Sequence, residues 1–237
     1  MLAQVLMFAL ASPAGAYSLK TNTEGDALRW LKIPVSYQIN PTNRSGLDET
    51  EVESLIHGAF DQWQAVTKVP LSFDYQGETD VSAPSYTDNA NVVYFENNWP
   101  DDWDSGFLAL TFTWSVDYGE IIAFDMAINE SFDWTTSGQK GKHDLYNAVT
   151  HEVGHAVGMG HSDVLDATMF ADSQTGDTAK RSLSEDDAQG LRYLYTGIVA
   201  EQRWSCATGG APSSSFFGFL AVAGTIGLRR RRFESEG

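Results

Sequence analysis

Apolar and polar residues alternate with period two in several stretches of the chain. Ile33, Val35, Tyr37 and Ile39 alternate with Pro34, Ser36, Gln38 and Asn40, the pattern of a half-buried first strand. Leu71, Phe73 and Tyr75 give a second strand, and the short apolar run at 92–95 reads as a buried third. Leu108, Leu110, Phe112 and Trp114 predict a fourth, and Ile122, Phe124, Met126 and Ile128 a fifth. Asp117 to Gly119 is the turn between these two, and so short a link makes the pair antiparallel. The residues between the second and third strands, 76–90, form a polar loop.

Three stretches change to helical spacing. Asp48 and Glu51 resemble a capping box, after which Val52, Leu55, Ile56, Ala59, Phe60, Trp63 and Val66 define an amphipathic helix over 49–67. His57 falls off its apolar stripe and reads as a solvated surface residue. A second helix begins near His143 or Asp144, buries Leu145, Val149, Val153 and Val157, and ends at Gly158; His143 is read as a capping or solvated residue. A third opens at Ser184 with Asp187 in the capping-box position, carries Ala188, Leu191, Leu194 and Tyr195, and stops at Gly197.

With 237 residues the chain supports one domain with a sizeable core. That body is assigned to 33–197, preceded by a strap at 17–32 that is too short for an inhibitory pro-segment, and followed by a Ser-, Gly- and Ala-rich linker at 198–215. Residues 1–16 carry an apolar run closed by Ala14, Gly15 and Ala16, the pattern of an export signal cut after Ala16. At the other end, an apolar run at 216–228 precedes Arg229 to Arg232, the layout of a membrane tail over 216–237. Thirteen residues span about 20 Å as a helix, short of the roughly 30 Å hydrocarbon core, which favours a marginal anchor or a processed sorting tag over a stable span.

The balance of 32 Asp plus Glu against 15 Lys plus Arg argues against nucleic acid as a partner, because phosphate contacts need cations. It suits an exported protein at the cell surface or beyond it, expected as a monomer. A single cysteine, Cys206, excludes an internal disulfide framework and a thiolate zinc cluster, so histidine and carboxylate must supply the chemistry. Asp101, Asp102 and Asp104 form a carboxylate cluster, read first as a solvated loop and in the alternative as a calcium site.

The chemistry concentrates in His151 to His161, HEVGHAVGMGH. On a helix His151 and His155 stand about one turn apart on one face, so both imidazoles can reach a single ion. Glu152 is not needed for coordination, and its carboxylate is free to take a proton from water held at the metal. Gly158 can adopt the left-handed conformation that ends a helix, and the turn brings His161 back to the same ion. Three nitrogen ligands leave one position open, which marks a catalytic zinc site.

His151, Glu152, His155, Gly158 and His161 together resemble the metzincin metalloproteases, and Ser162, Met169 and the stretch LSEDDAQGLRYLY resemble their matrixin branch. The resemblance covers 33–197. It implies an α+β, zincin-like fold: a twisted five-stranded mixed sheet, a long first helix, an active-site helix and a C-terminal helix. It also implies one zinc on His151, His155 and His161, Glu152 as base, Met169 in a turn beneath the metal, and proteins or peptides as substrates. GFLALTF at 106–112 resembles the matrixin edge strand, with Leu108 and Ala109 as the substrate-pairing residues. The chain departs from the pattern at Leu110 and Ala123, where relatives place histidines for a second, structural zinc, and at Phe170, where many have tyrosine. The inhibitory pro-segment cysteine is also missing, since Cys206 lies downstream of the domain. The tail from Cys206 to Arg232 resembles the carboxy-terminal sorting signals of myxobacterial surface proteins.

The expected function is a zinc-dependent metalloendopeptidase. The competing reading is a surface adhesion domain that keeps the metal without turnover, which a chelator-sensitive protease assay distinguishes. A third, in which the histidines are incidental, is distinguished by zinc content.

Overall fold

A computed structural model describes residues 16–66, 68–207 and 235–236, with side chains in the last helix described as far as 196. Five strands form a mixed sheet: β1 (Val35–Ile39), β2 (Phe73–Glu78), β3 (Val92–Glu96), β4 (Ala109–Ser115) and β5 (Ile121–Asn129), in the order β2-β1-β3-β5-β4. Neighbours run parallel except β4, which is antiparallel to β5. Two short strands, β6 (Trp134–Thr135) and β7 (His143–Asp144), pair separately, and β8 (Ser235–Glu236) adds two residues on the outer side of β4 opposite Thr111 and Phe112.

Helices α1 (Glu49–Gln64) and α2 (Leu145–Ala156) pack on one face of the sheet. Val52, Ile56, Ala59, Phe60 and Trp63 of α1 meet Val93, Phe95, Met126 and Ile128 of the central strands. The other face carries a second cluster of Val92, Tyr94, Leu110, Phe112 and Ala127, roofed by Trp99, Trp103 and Phe107. Covered on both sides, β4 buries Ala109 and Thr111 as fully as Leu110 and Phe112, so its alternation sorts residues between two buried faces. Leu110 packs in that aromatic cluster, and Ala123 is buried opposite Trp114. The loop over 79–91 is fastened to the sheet by buried Asp125, which accepts N–H bonds from Ser85 and Val92 at 2.8 Å each.

The strap lies across the domain. Lys20 N–H donates to Gly158 O and Trp30 Nε1 to Ala156 O, both at 2.9 Å, and the backbone amides of Ala16 and Tyr17 reach Asp186 Oδ1 at 3.2 Å.

Several expectations are corrected. Helix α1 ends at Gln64 and not at 67: after the cap at Ala65 the hydrogen bonding tightens, Val66 N–H reaching Trp63 O at 3.3 Å. Ile122 is 37% exposed and Ile121 is buried in its place, since the β4–β5 ladder shifts register between Trp114 and Ser115. His57 is half-buried: its Nδ1 meets Tyr37 Oη at 2.5 Å, its ring lies edge-on to Tyr75, and Nε2 is 3.6 Å from Glu53. His143 neither caps α2 nor is fully solvated; Asp144 is the cap, and the His143 ring packs edge-on to Phe132. The last helix, α3 (Glu185–Ala207), passes through Gly197, so the first ten residues of the expected linker are helical. One interior glycine costs only about 1 kcal/mol of helix propensity, and the run after it, IVAEQRW, supplies helix formers.

No helix among the described residues is long and apolar enough to cross a membrane. The export-signal run over 1–15 and most of the expected anchor, 216–234 and 237, lie outside the described residues.

Candidate metal centre

Helix α2 owes its position to both ends. Asp144 accepts Asn147 N–H at 3.0 Å, capping the first turn, and also accepts Gly138 N–H and the Arg181 guanidinium. From Asn147 to Ala156 every residue is buried, so the helix runs through the core with its histidines facing inward. At the far end Gly158 takes φ +98°; a side chain there would strike Leu28 O of the strap. The chain then turns through Met159, whose N–H returns to Gly154 O at 2.9 Å, and His161 comes back over the helix.

The three imidazoles face one point. Their ligand atoms all lie within 4.8 Å of one another, and the ring centroids are 4.8, 4.9 and 5.3 Å apart. His151 Nδ1 lies 2.6 Å from Thr168 O and His155 Nδ1 2.9 Å from Met159 O. A carbonyl only accepts, so both Nδ1 atoms carry the proton and each Nε2 presents a lone pair. His155 Nε2 is buried without a hydrogen-bond partner, a costly arrangement that a cation relieves. Burial holds the His151 ring down at about 3, with the Lys180 ammonium acting in the same direction, and burial holds His155 well below its ordinary value. Both stay neutral, the form that binds metal. Three imidazoles and no thiolate suit zinc.

Met169 lies against α2 at Gly154. Its N–H and that of Thr168 donate to Asp187 carboxylate oxygens at 3.0 and 2.8 Å, and its carbonyl accepts Ser162 N–H at 2.8 Å. Asp187 also closes the predicted capping box, accepting Ser184 N–H at 2.8 Å. One carboxylate thereby ties the start of α3 to the turn whose Thr168 carbonyl orients His151.

Glu152 and His151 line a cavity of about 380 Å³, together with Ala148, Leu108, Ala109 and Lys180. Burial pushes the Glu152 carboxyl up to about 7; the Thr111 hydroxyl bonded to it and the ammonium groups of Lys20 and Lys180 oppose the rise. Lys180 is itself buried, its Nζ donating to Phe170 O and its N–H to Asn147 Oδ1 at 2.7 Å. Leu108 lines the cavity while its carbonyl is taken by Asn129 N–H of β5 at 3.0 Å. Its backbone is therefore turned inward, and the next residue, Ala109, presents its own to the open edge.

Of the residues that sequence reasoning singled out, the structure brings His151, His155 and His161 together and sets Glu152 beside His151 in the cavity lining, with Gly158 in the turn after α2 and Met169 against Gly154. Sequence reasoning missed Thr111, Lys180 and the second task of Asp187. A hydroxyl set in the apolar run LALTF was the one available signal for Thr111, and Lys180 sits in a polar stretch that carries none. The acidic residues Asp101, Asp102 and Asp104 lie on the exposed loop, where Asp104 Oδ1 accepts Gly106 N–H at 2.9 Å.

Residues 29–196 match the Matrixin family. The chain is 31% identical to human matrilysin over 181 residues, covering 76% of this chain and 61% of the relative. It is 28% identical to human neutrophil collagenase over 171 residues, 70% of this chain and 33% of that protein. A third relative, matrix metalloproteinase-18 of Xenopus laevis, is 28% identical over 183 residues, 76% and 36% of the two chains. The chain thus spans between a third and three-fifths of the length of these relatives.

Proposed function

The chain belongs to the matrixin family, and from that premise we propose that it is a zinc-dependent endopeptidase that hydrolyses peptide bonds within proteins. The observation that carries the reading is the convergence of three imidazoles, their ligand atoms within 4.8 Å of one another, beside a carboxylate facing a cavity. His151, His155 and His161 would hold the metal. When bound there, zinc supplies a Lewis acid that polarises a carbonyl and stabilises negative charge on its oxygen.

The remaining work belongs to the protein. Ala109 offers backbone groups along the edge of β4 for pairing with an extended peptide, which places the scissile bond across the mouth of the cavity. Leu108, Ala148 and Lys180 wall the space that receives a neighbouring side chain. Glu152 accepts a proton from the attacking water and returns it to the leaving amine, a task its raised carboxyl suits near neutral pH. Met169 and Asp187 keep His151 aimed through the Thr168 carbonyl. The apolar run and small-residue pattern at 1–16 support export, and the tail at 216–237 supports retention or processing at the envelope.

The full chain, purified with zinc, should hydrolyse casein; a zinc chelator should abolish the activity, and added zinc should restore it. Cleavage that persists after the chelator has stripped the metal to background contradicts the reading.

A further inference from the structure

Resting on the reading of Glu152 as proton acceptor, we propose that Thr111 is a positioning residue which holds that carboxylate in register through its side-chain hydroxyl. Thr111 Oγ1 lies 2.6 Å from Glu152 Oε2 and 3.2 Å from Glu152 O, and both residues are buried. The hydroxyl carries one proton, and the carboxylate is the stronger and nearer acceptor, so it donates to Oε2. With Oε2 taken by that hydroxyl, Oε1 is the oxygen assigned to the reacting water.

A glutamate side chain has three rotatable bonds, and two of its carboxylate orientations interchange the oxygens. Fixing Oε2 removes that freedom before substrate arrives, a contribution that geometry-dependent proton transfer rewards. The anchor is rigid because Thr111 sits in mid-strand, opposite Met126 of β5. When Glu152 takes the proton on Oε1, Oε2 keeps its lone pairs, so the Thr111 donation persists in both protonation states. Ala109, two residues earlier on the same strand, faces the open edge where substrate is to pair. One strand therefore sets both the position of the peptide and the orientation of its base.

The test compares Thr111→Val, which keeps the shape and removes the hydroxyl, with Thr111→Ser, which keeps the hydroxyl, each assayed as full chain with zinc per chain measured. Thr111→Val should lower kcat about ten- to a hundred-fold with KM little changed and zinc retained. Thr111→Ser should remain within about three-fold of wild type. On chelator-stripped protein, urea midpoints of Thr111→Val, Glu152→Ala and the double variant should be non-additive, reporting the contact without turnover. Thr111→Ala replaces Thr111→Val if the latter does not fold. Wild-type kcat in the hydroxyl-less variant, a Ser variant as slow as the Val variant, or additive midpoints each overturn the role. Glu152→Gln measured alongside separates the two readings: wild-type turnover in it removes the base assignment itself, whereas an inactive Glu152→Gln with an unimpaired Thr111→Val removes only the anchor.

Discussion

At Gly154 two opposed effects can be weighed. Replacing a mid-helix glycine by alanine ordinarily gains about 1 kcal/mol through lower backbone entropy in the unfolded chain. Here the added methyl would run into Met169 Sδ and lie 2.6 Å from Trp63 Cζ2. Trp63 cannot yield, because its Nε1 donates to Thr150 O at 2.8 Å in the seam between α1 and α2. Overpacking of this kind costs about 1–3 kcal/mol, and the steric cost should win. Gly154→Ala is expected to lower Tm by several degrees in thermal unfolding of the zinc-loaded protein; a rise in Tm would show that propensity prevails. The same residue shows what one-dimensional reading reaches. His151, Glu152 and His155 were legible because their spacing matches a helical turn, whereas that pattern carries no signal for Gly154. Its reason for being glycine lies 15 residues ahead, in the side chain of Met169. Thr111 was hidden likewise, its partner 41 positions away on another element.

Elements were legible where their signals are local. Asp48 caps α1 and Asp187 closes the box of α3, because a capping carboxylate serves amides within one turn of itself. A glycine, by contrast, is a weak stop signal, and α3 runs past Gly197. Asp187 does more than cap, since it also accepts the N–H groups of Thr168 and Met169 from a separate turn. Asp187→Asn keeps a side chain of the same size but replaces one acceptor oxygen with a donor facing other donors. The turn should move, carrying the Thr168 carbonyl from His151 Nδ1, and loss of such a supporting hydrogen bond lowers metal affinity about ten- to a hundred-fold. A competition titration against a chromophoric zinc chelator reads this; unchanged affinity would show that the His151 orientation does not depend on α3.

For the whole molecule, the five main strands followed from periodicity and the α+β class from the family resemblance, whereas the strand order β2-β1-β3-β5-β4 followed from neither. Only the β4–β5 pair is joined by a short turn; the parallel neighbours are brought together by burial of both sheet faces, which no local pattern records. The strap illustrates the same limit. Its sequence is mixed and polar, yet it supplies Leu28 and Trp30 to the core and backs the Gly158 turn that returns His161. All these layers converge on one chemical claim, that the carboxylate beside three metal-binding imidazoles acts as the base of a hydrolase. The measurement that reaches it most directly is peptide hydrolysis by Glu152→Gln against wild type at matched zinc content. The account predicts one zinc per chain in both and loss of turnover by at least about a hundred-fold in the variant. Equal hydrolysis by the two, with zinc bound in each, would contradict it.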